Sequence, residues 1–187
     1  MSRKLLVVVD MQKDFIDGAL GSKEAVLIVD NCEAKIRSAM QNGDMVIFTR
    51  DTHGDDYMQT EEGANLPVPH CIKDSEGWMI CSKLRELSDV CRIFDKVTFG
   101  SVLLGEEAKK LCEEENLSSI ELIGLCTDIC VISNALLLKA FCPDVPVYVD
   151  ASCCAGVSPQ SHDTALAAME TCHIHVTGKG NEPWRQA

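Results

Sequence analysis

Several features that would assign a protein to a class are missing from this 187-residue sequence. Basic residues are few: 17 Lys and Arg stand against 29 Asp and Glu, and no basic stripe offsets the formal net charge of −12. That balance disfavours nucleic acids and anionic membrane surfaces as partners. Linkers, internal repeats and low-complexity stretches are also missing, so we expect a single domain over residues 1–187.

Long apolar runs are missing as well. The run nearest the start, Leu5–Val9, ends at Asp10 and is too short for a membrane span or for the apolar part of a signal peptide. We therefore expect a cytoplasmic protein.

Cysteine, in contrast, is plentiful, with 11 residues. The number is odd, and a chain of this size that is rich in aliphatic residues does not need a disulfide framework. No Cys-x-x-Cys pair occurs, which argues against a structural zinc knuckle. The composition therefore favours free thiols in a reducing compartment.

Short apolar runs alternate with helical patterns along the chain. The runs are mostly continuous and rich in Val and Ile, which is typical of parallel strands covered on both faces. They predict strands at Leu5–Val9, Met45–Thr49, Arg92–Phe94, Ile120–Ile123, Val145–Val149 and His173–Val176. Apolar residues at helical spacing predict helices through Ala25–Met40, through Leu104–Cys112 and from Pro159.

This alternation predicts an α/β protein, a doubly wound three-layer α/β/α sandwich with a mostly parallel sheet. Residues 52–83 are the exception, because they contain Gly, Pro and His with little periodicity. We expect this segment to be an inserted functional loop or lid.

Cys130 is the strongest candidate for a reactive residue. It lies where the apolar run ending at Gly124 passes into a helical pattern, with Thr127 or Asp128 as the expected N-cap. A sulfur in the first turn of a helix is favoured as a thiolate, the form that attacks a carbonyl carbon. The alternative is a small cysteine that packs in the core. Taken alone, the position of Cys130 in the sequence favours this alternative.

Two charged residues follow other apolar runs. Asp10 ends the first predicted strand, where partial desolvation raises a carboxyl pKa and suits it to act as a base; the alternative is a carboxylate that caps a loop. Lys96 follows the run at Arg92–Phe94, and its alternative is a solvated surface lysine. The carboxyl ends of parallel strands meet at one edge of a sheet, so Asp10, Asp51 and Cys126–Cys130 are expected there together.

A second group of residues has the composition of a metal site. Asp51-Thr-His53 places two ligands on one side of an extended segment, and His70 follows in the long loop. Two histidines and a carboxylate suit Zn²⁺ or another divalent first-row metal with open positions. The alternative is a pair of surface histidines in a polar loop.

Three motifs carry a resemblance to a known family, and they lie in the family's order and spacing. They are Val9-Asp10-Met-Gln-Lys-Asp14-Phe15, Lys96 before Phe99-Gly-Ser, and Gly124-Leu-Cys-Thr-Asp-Ile-Cys130-Val. From Leu5 to about Val176 the chain resembles the isochorismatase-like cysteine hydrolases, and within them the nicotinamidases. The resemblance implies a catalytic triad of Asp10, Lys96 and Cys130. It also implies a cis peptide just before Cys126, with the backbone amides of Cys126 and Cys130 forming an oxyanion hole.

The resemblance extends to the metal and the substrate pocket. It implies that Asp51, His53 and His70 bind one divalent metal, most simply Zn²⁺ with Mn²⁺ or Fe²⁺ as alternatives, and that the metal holds the pyridine nitrogen of the substrate. A loop carboxylate, Glu62 or failing that Glu61, is a further ligand. Phe15 matches an aromatic residue that stacks on the substrate ring. In place of a second family aromatic just before His70 the chain has Leu66-Pro67-Val68-Pro69, so another ring must complete the pocket, with Phe99, Tyr57 and Trp78 as candidates.

The resemblance thus implies a homo-oligomeric enzyme of NAD salvage that hydrolyses a small carboxamide, nicotinamide, to nicotinate and ammonia through a thioester. Two alternatives stay open. One is a metal-free N-carbamoyl or ureido amide hydrolase of the same family. The other is a non-catalytic redox or metal sensor, which the eleven cysteines motivate.

Overall fold

A computed structural model describes residues 3–186 of the chain. Within them, six strands form one sheet: β1 (Lys4–Val9), β2 (Met45–Asp51), β3 (Arg92–Lys96), β4 (Ser119–Leu125), β5 (Val147–Ala155) and β6 (His175–Thr177). The strand order is β3-β2-β1-β4-β5-β6, and every neighbouring pair is parallel. The predicted strands are confirmed in number, although β2, β3, β4 and β5 extend further toward their carboxyl ends and β5 and β6 begin two residues later than predicted.

The helices confirm the predicted alternation with the strands. They are α1 (Lys13–Ile16), α2 (Lys23–Gln41), α3 (Glu61–Asn65), α4 (Ser82–Ser88), α5 (Val102–Glu115), α6 (Ile132–Phe141) and α7 (Pro159–Thr171). Ser158 caps α7 in a capping box with Ser161, and Pro159 is the first helical residue, as the sequence predicts. Across the described part of the chain, no helix combines the length and the apolar character that crossing a bilayer requires.

The side chains of β1 explain why its sequence is apolar throughout. Leu5, Val7 and Val9 pack in one core with α5, α6 and α7. Leu6 and Val8 point the other way, into a second core with α1, α2 and α4. A strand buried on both faces has no solvent side on which to place polar residues. These two cores make the protein the three-layer α/β/α sandwich that was predicted.

The strand order reverses between β1 and β4, which places a crevice beyond their carboxyl ends. The two strands approach closely there because β4 carries Gly124, which has a φ of 114° and lies opposite Val9. A Cβ atom at this position would lie 2.1 Å from the carbonyl oxygen of Val9. Only glycine fits both the backbone conformation and the space.

We expect Gly124→Ala to destabilise the fold by roughly 2–5 kcal/mol, because it adds a backbone strain and a steric clash with the neighbouring strand. Gly100→Ala is the matched control, since a Cβ there meets nothing closer than 3.6 Å. Denaturant unfolding of both variants measures the difference. An unfolding free energy for Gly124→Ala equal to that of the control would contradict this account of the β1–β4 approach.

The segment predicted as a long functional loop contains short local structure. It has a 3₁₀ turn at Tyr57–Gln59 and the helix α3, and helix α4 begins at Ser82, just before the predicted end of the loop. The backbone N–H of Cys71 donates to the Asp14 carboxylate over 2.8 Å, which ties the loop to the segment after β1. The loop therefore lies against the carboxyl edge of the sheet.

Candidate active site

Four adjacent strands deliver the candidate residues to one edge of the sheet. Lys96 is the last residue of β3 and Asp51 the last residue of β2. Asp10 directly follows β1, and Cys126 directly follows β4 and leads to Cys130. The edge predicted from the sequence is therefore the one at which these residues meet.

Asp10, Lys96 and Cys130 are brought together in a buried cluster. The Lys96 ammonium nitrogen lies 2.7 Å from Asp10 Oδ2 and 3.4 Å from the Cys130 sulfur. All three residues are at least 95 % buried. Burial alone would lower the pKa of Lys96, but the surrounding Asp10, Cys130 and Asp51 raise it, so the ammonium stays charged.

Asp10 has the environment of a general base. Its Oδ1 accepts a hydrogen bond from the Thr49 hydroxyl over 2.7 Å. Its Oδ2 lies at ion-pair distance from Lys96 but, among the described residues, accepts no well-aligned hydrogen bond. Burial raises the pKa of Asp10 and outweighs the opposing effect of Lys96. A buried carboxylate with a raised pKa is suited to take a proton from a neighbouring thiol.

Cys130 lies in a π-helical turn, Thr127–Val131, rather than in the first turn of α6. The predicted side-chain cap is wrong: Cys126 is the N-cap residue and its side chain makes no capping hydrogen bond. Thr127 and Asp128 instead turn away from the helix, toward His162 and the backbone N–H of Val157.

The predicted stabilisation of a resting thiolate is also wrong. Burial raises the pKa of Cys130 well above its usual value, and the nearby Asp10 raises it further, partly through a hydrogen bond. Lys96 acts in the opposite direction but does not compensate. The sulfur is therefore a thiol at rest, and it needs a base to become a nucleophile.

Buried polar residues that the sequence analysis did not single out hold the site in place. Gln12 binds the backbone of Asp51 twice: its side-chain oxygen accepts from the N–H over 2.7 Å and its nitrogen donates to the carbonyl over 2.8 Å. The same nitrogen donates to the carbonyl of Trp78 over 2.9 Å. Gln12 thereby fixes the end of β2 relative to β1. Its place within the first motif was the only signal in the sequence.

Asn134 fixes the backbone around Cys130 in the way that Gln12 fixes the end of β2. Its side-chain nitrogen donates to the carbonyls of Cys130 over 2.8 Å and Phe99 over 3.0 Å, and its oxygen accepts from the N–H of Ser101 over 2.9 Å. It therefore couples the Cys130 turn to the loop that carries Phe99. A single amide residue in the otherwise apolar pattern of α6 is the signal that would have identified it.

Asp51, His53, Glu62 and His70 form a group of four potential metal ligands. Their donor atoms all lie within 4.8 Å of one another. His53 Nε2 lies 2.9 Å from Asp51 Oδ2, and Glu62 Oε1 lies 3.7 Å from Nε2 of both histidines. Ligands of a tetrahedral zinc ion are about 3.3–3.5 Å apart. The spacing and the mixed nitrogen and oxygen donors therefore fit such an ion.

The hydrogen bonds and ion pairs around these potential ligands support this fit. His70 Nδ1 lies 2.9 Å from the carbonyl oxygen of Val68, so it carries the proton and leaves the Nε2 lone pair facing the other donors. Asp51 is shared, because its Oδ1 lies 3.2 Å from the Lys96 ammonium while Oδ2 faces the histidines. Burial would raise the pKa of Asp51, but the two neighbouring histidines and the charge of Lys96 hold it below its usual value. The Asp51 carboxylate thus connects the four potential metal ligands to the cluster of Asp10, Lys96 and Cys130.

One cavity of about 1120 Å³ borders both groups. Cys126, Cys130 and the four potential ligands line it, and Asp10 and Lys96 lie behind Cys130. Phe15 lines the cavity and packs edge-on against His70, with 5.5 Å between ring centroids. Phe99 also lines it and is 46 % exposed.

The other two aromatic candidates do not border the cavity. Tyr57 is buried behind the ligand group, with its ring centroid 4.7 Å from that of His53. Trp78 packs under the Arg50 guanidinium and donates from its ring nitrogen to the hydroxyl of Thr52. Of the four aromatic candidates, Phe15 and Phe99 are therefore the two that line the cavity.

Fold and site together define a hydrolase of the doubly wound α/β class with a buried thiol at the carboxyl edge of its parallel sheet. The Leu125–Cys126 peptide bond is cis, as the resemblance implies. The model of the isochorismatase domain family matches residues 4–179. The chain therefore belongs to the isochorismatase family.

Solved structures resemble this protein over almost their whole length. A nicotinamidase/pyrazinamidase, PncA from Bacillus subtilis, is 26 % identical with a TM-score of 0.81, covering 94 % of this chain and 99 % of its own. The pyrazinamidase of Pyrococcus horikoshii, solved in complex with zinc, is 23 % identical with a TM-score of 0.77, covering 94 % and 98 %. N-carbamoylsarcosine amidase from Thermoplasma acidophilum is 23 % identical with a TM-score of 0.74, covering 94 % and 95 %. The last two share the fold.

Proposed function

We propose that this isochorismatase-family hydrolase is a metal-dependent cysteine amidohydrolase that converts nicotinamide to nicotinate and ammonia. The observation that carries the proposal is the position of the Asp10–Lys96–Cys130 cluster beside the four-ligand group in one cavity. The B. subtilis protein described as a nicotinamidase/pyrazinamidase supports the same choice of substrate. A place in NAD salvage and a homo-oligomeric state follow from the family resemblance, and a cytoplasmic location follows from the composition; all three stay predictions.

In the first half of the reaction, Asp10 Oδ2 takes the proton of the Cys130 thiol, and the sulfur attacks the amide carbon. The backbone N–H groups of Cys126 and Cys130 donate hydrogen bonds to the developing oxyanion. Asp10, now protonated, returns the proton to the departing nitrogen, so that ammonia leaves and a thioester to Cys130 forms. Lys96 keeps its charge throughout and offsets the negative charge of the pair.

The second half repeats these roles with water. Asp10 takes a proton from water while the oxygen attacks the thioester carbon. When the carbon–sulfur bond breaks, the proton on Asp10 returns to the sulfur, and the carboxylic acid product leaves and loses its remaining proton to solvent. Because one carboxylate serves as base and acid in both halves, its raised pKa is an advantage rather than a defect.

Asp51, His53 and His70, with Glu62, would hold the metal ion. When bound, a divalent cation such as Zn²⁺, with Mn²⁺ or Fe²⁺ as alternatives, supplies a Lewis-acid contact for the ring nitrogen of the substrate. Phe15 and Phe99 border the space that the ring then occupies. The residues of the ligand group thus orient the amide toward Cys130. We also propose that residues 52–83 act as the lid of the cavity, since His53, Glu62 and His70 all come from this segment.

We expect the purified protein to carry about one metal ion, and its removal by a chelator to lower activity on nicotinamide and pyrazinamide by about 10–100-fold. Benzamide has no ring nitrogen, so it should be a poor substrate with or without metal. Elemental analysis followed by ammonia release from the three amides tests this expectation.

His70→Ala should lose the metal and the preference for nicotinamide over benzamide. His175→Ala is the matched control, because His175 is exposed on β6 and lies outside the ligand group. Protein that carries no metal and hydrolyses nicotinamide and benzamide equally would contradict the proposal. It would favour the metal-free N-carbamoyl or ureido hydrolase, for which the fold shared with N-carbamoylsarcosine amidase is the support.

A further inference from the structure

A second polar cluster lies behind the nucleophile turn and outside the cavity. It consists of Thr127, His162 on α7 and Glu182 near the carboxyl end, and all three are fully buried. The Thr127 hydroxyl lies 2.8 Å from His162 Nδ1, and His162 Nε2 lies 3.3 Å from Glu182 Oε1. The reaction described above uses none of these side chains, so their burial needs another explanation.

The partners fix the direction of each hydrogen bond. Glu182 also accepts from the Arg185 guanidinium, which helps to keep its pKa below the usual value although burial acts in the opposite direction. A carboxylate can only accept, so His162 Nε2 carries the ring proton. Burial lowers the pKa of His162, so the ring is neutral and its Nδ1 accepts from the Thr127 hydroxyl. The result is a one-way chain from Thr127 through His162 to Glu182.

A metal ion is not the explanation for this cluster. Asp163 completes a group of three potential ligands with His162 and Glu182. The Arg185 guanidinium, however, already binds the carboxylates of both Asp163 and Glu182. A second cation would have to displace it. The cluster is therefore a complete hydrogen-bonded network rather than an open ligand set.

Thr127 is the first residue of the π-helical turn that carries Cys130. The turn has no side-chain cap of its own, but the side chains of its first two residues attach it to neighbouring segments. Thr127 provides one such attachment, to His162, and the Asp128 carboxylate provides the other by accepting from the N–H of Val157 over 3.1 Å. The orientation of the turn depends on both attachments.

We propose that His162 and Glu182 are positioning residues that act through Thr127 on the Cys126–Cys130 turn. In this way the segment Glu182–Arg185, which is remote from the cavity, sets the reactivity of the Cys130 thiol. The inference rests on the proposed function in taking Cys130 as the nucleophile. Thr127 does not line the cavity, so we expect its hydroxyl to affect the chemical step and not the binding of substrate.

Thr127→Val tests the proposal, because it keeps the shape of the side chain and removes only the hydroxyl. We expect kcat for ammonia release to fall by about 10–100-fold with KM changed by less than about threefold. Alkylation of Cys130 by iodoacetamide, followed by mass spectrometry of the peptide that contains it, should slow severalfold. Thr127→Ser restores the hydroxyl and should return both rates to within about threefold of the original protein.

Glu182→Gln should lower both kcat and the rate of Cys130 alkylation, as Thr127→Val does. Thr164→Val and Glu170→Gln are the matched controls, since both residues are exposed on α7 and lie outside the network. Unchanged kcat and alkylation rates in Thr127→Val would overturn the inference. A second result would also overturn it: losses of kcat and of the alkylation rate that are equal in Thr127→Val and Thr127→Ser and that parallel the decrease in their melting temperatures. A purely structural role predicts that result. If no amide is hydrolysed, the proposed function fails while the alkylation rates still decide this inference.

Discussion

Cys130→Ala is expected to fold normally and to lose ammonia release by at least about 1,000-fold. The thiol is the group that bonds to the amide carbon, and the alanine methyl cannot replace it. The substitution removes one buried sulfur from a turn whose backbone is held by Asn134 and the neighbouring strands, so the melting temperature should change little. Steady-state ammonia release and thermal unfolding of the same preparation measure both quantities.

Cys126→Ala is the matched control for this prediction. Cys126 lines the same cavity four residues earlier, and its proposed role uses only the backbone amide. Its variant should therefore keep activity to within about tenfold. An active Cys130→Ala together with an inactive Cys126→Ala would reassign the nucleophile.

Asp10→Asn is expected to cost activity by a similar factor, because an amide of the same shape cannot take the thiol proton. Burial explains the size of the effect: it raises the pKa of the Cys130 thiol, so the thiol needs a neighbouring base to become a nucleophile. The double variant Asp10→Asn, Cys130→Ala should be little worse than either single variant, since residues that serve one step are not additive.

The double-mutant cycle is read from ammonia release by the four proteins under the same conditions. Losses that multiply in the double variant would mean that Asp10 and Cys130 act in different steps, and would contradict the proton transfer between them. Alkylation of Cys130 in Asp10→Asn gives a second measurement that needs no substrate. Because the Asp10 carboxylate raises the pKa of Cys130, its removal should lower that pKa, so alkylation should be faster than in the original protein over the neutral pH range while ammonia release is lost.

The burial of the thiols bears on the alternative of a redox sensor. All eleven cysteines are free, and only Cys172 is exposed. Cys71, Cys153 and Cys154 are buried within the protein, as packing residues are. Reactive sensor cysteines are accessible, with a pKa that their surroundings lower. The structure shows buried thiols whose pKa is raised in most cases, for example at Cys71 and Cys154.

Much of the fold was predictable because a strand that is buried on both faces has a continuous apolar sequence. The continuous apolar runs at Leu5–Val9 and Ile120–Ile123 are what a central parallel strand needs, and both are central. The Ser158-Pro159 start of α7 was predictable for a similar reason, since capping is a local property. The ends of β5 and β6 were less accurate, because edge pairing and a register irregularity between β4 and β5 decide them.

The sequence by itself determined which residues reach the carboxyl edge of the sheet, since Asp10, Asp51, Lys96 and Cys126–Cys130 each come after a separate apolar run. Only the tertiary structure decided how they interact. The raised pKa of Cys130 depends on burial and on Asp10, from a different strand. The sharing of Asp51 between Lys96 and the histidines depends on the neighbouring positions of β2 and β3. The link from Thr127 to His162 joins residues 35 positions apart, and no local pattern encodes a contact that exists only after two helices pack beside the same sheet.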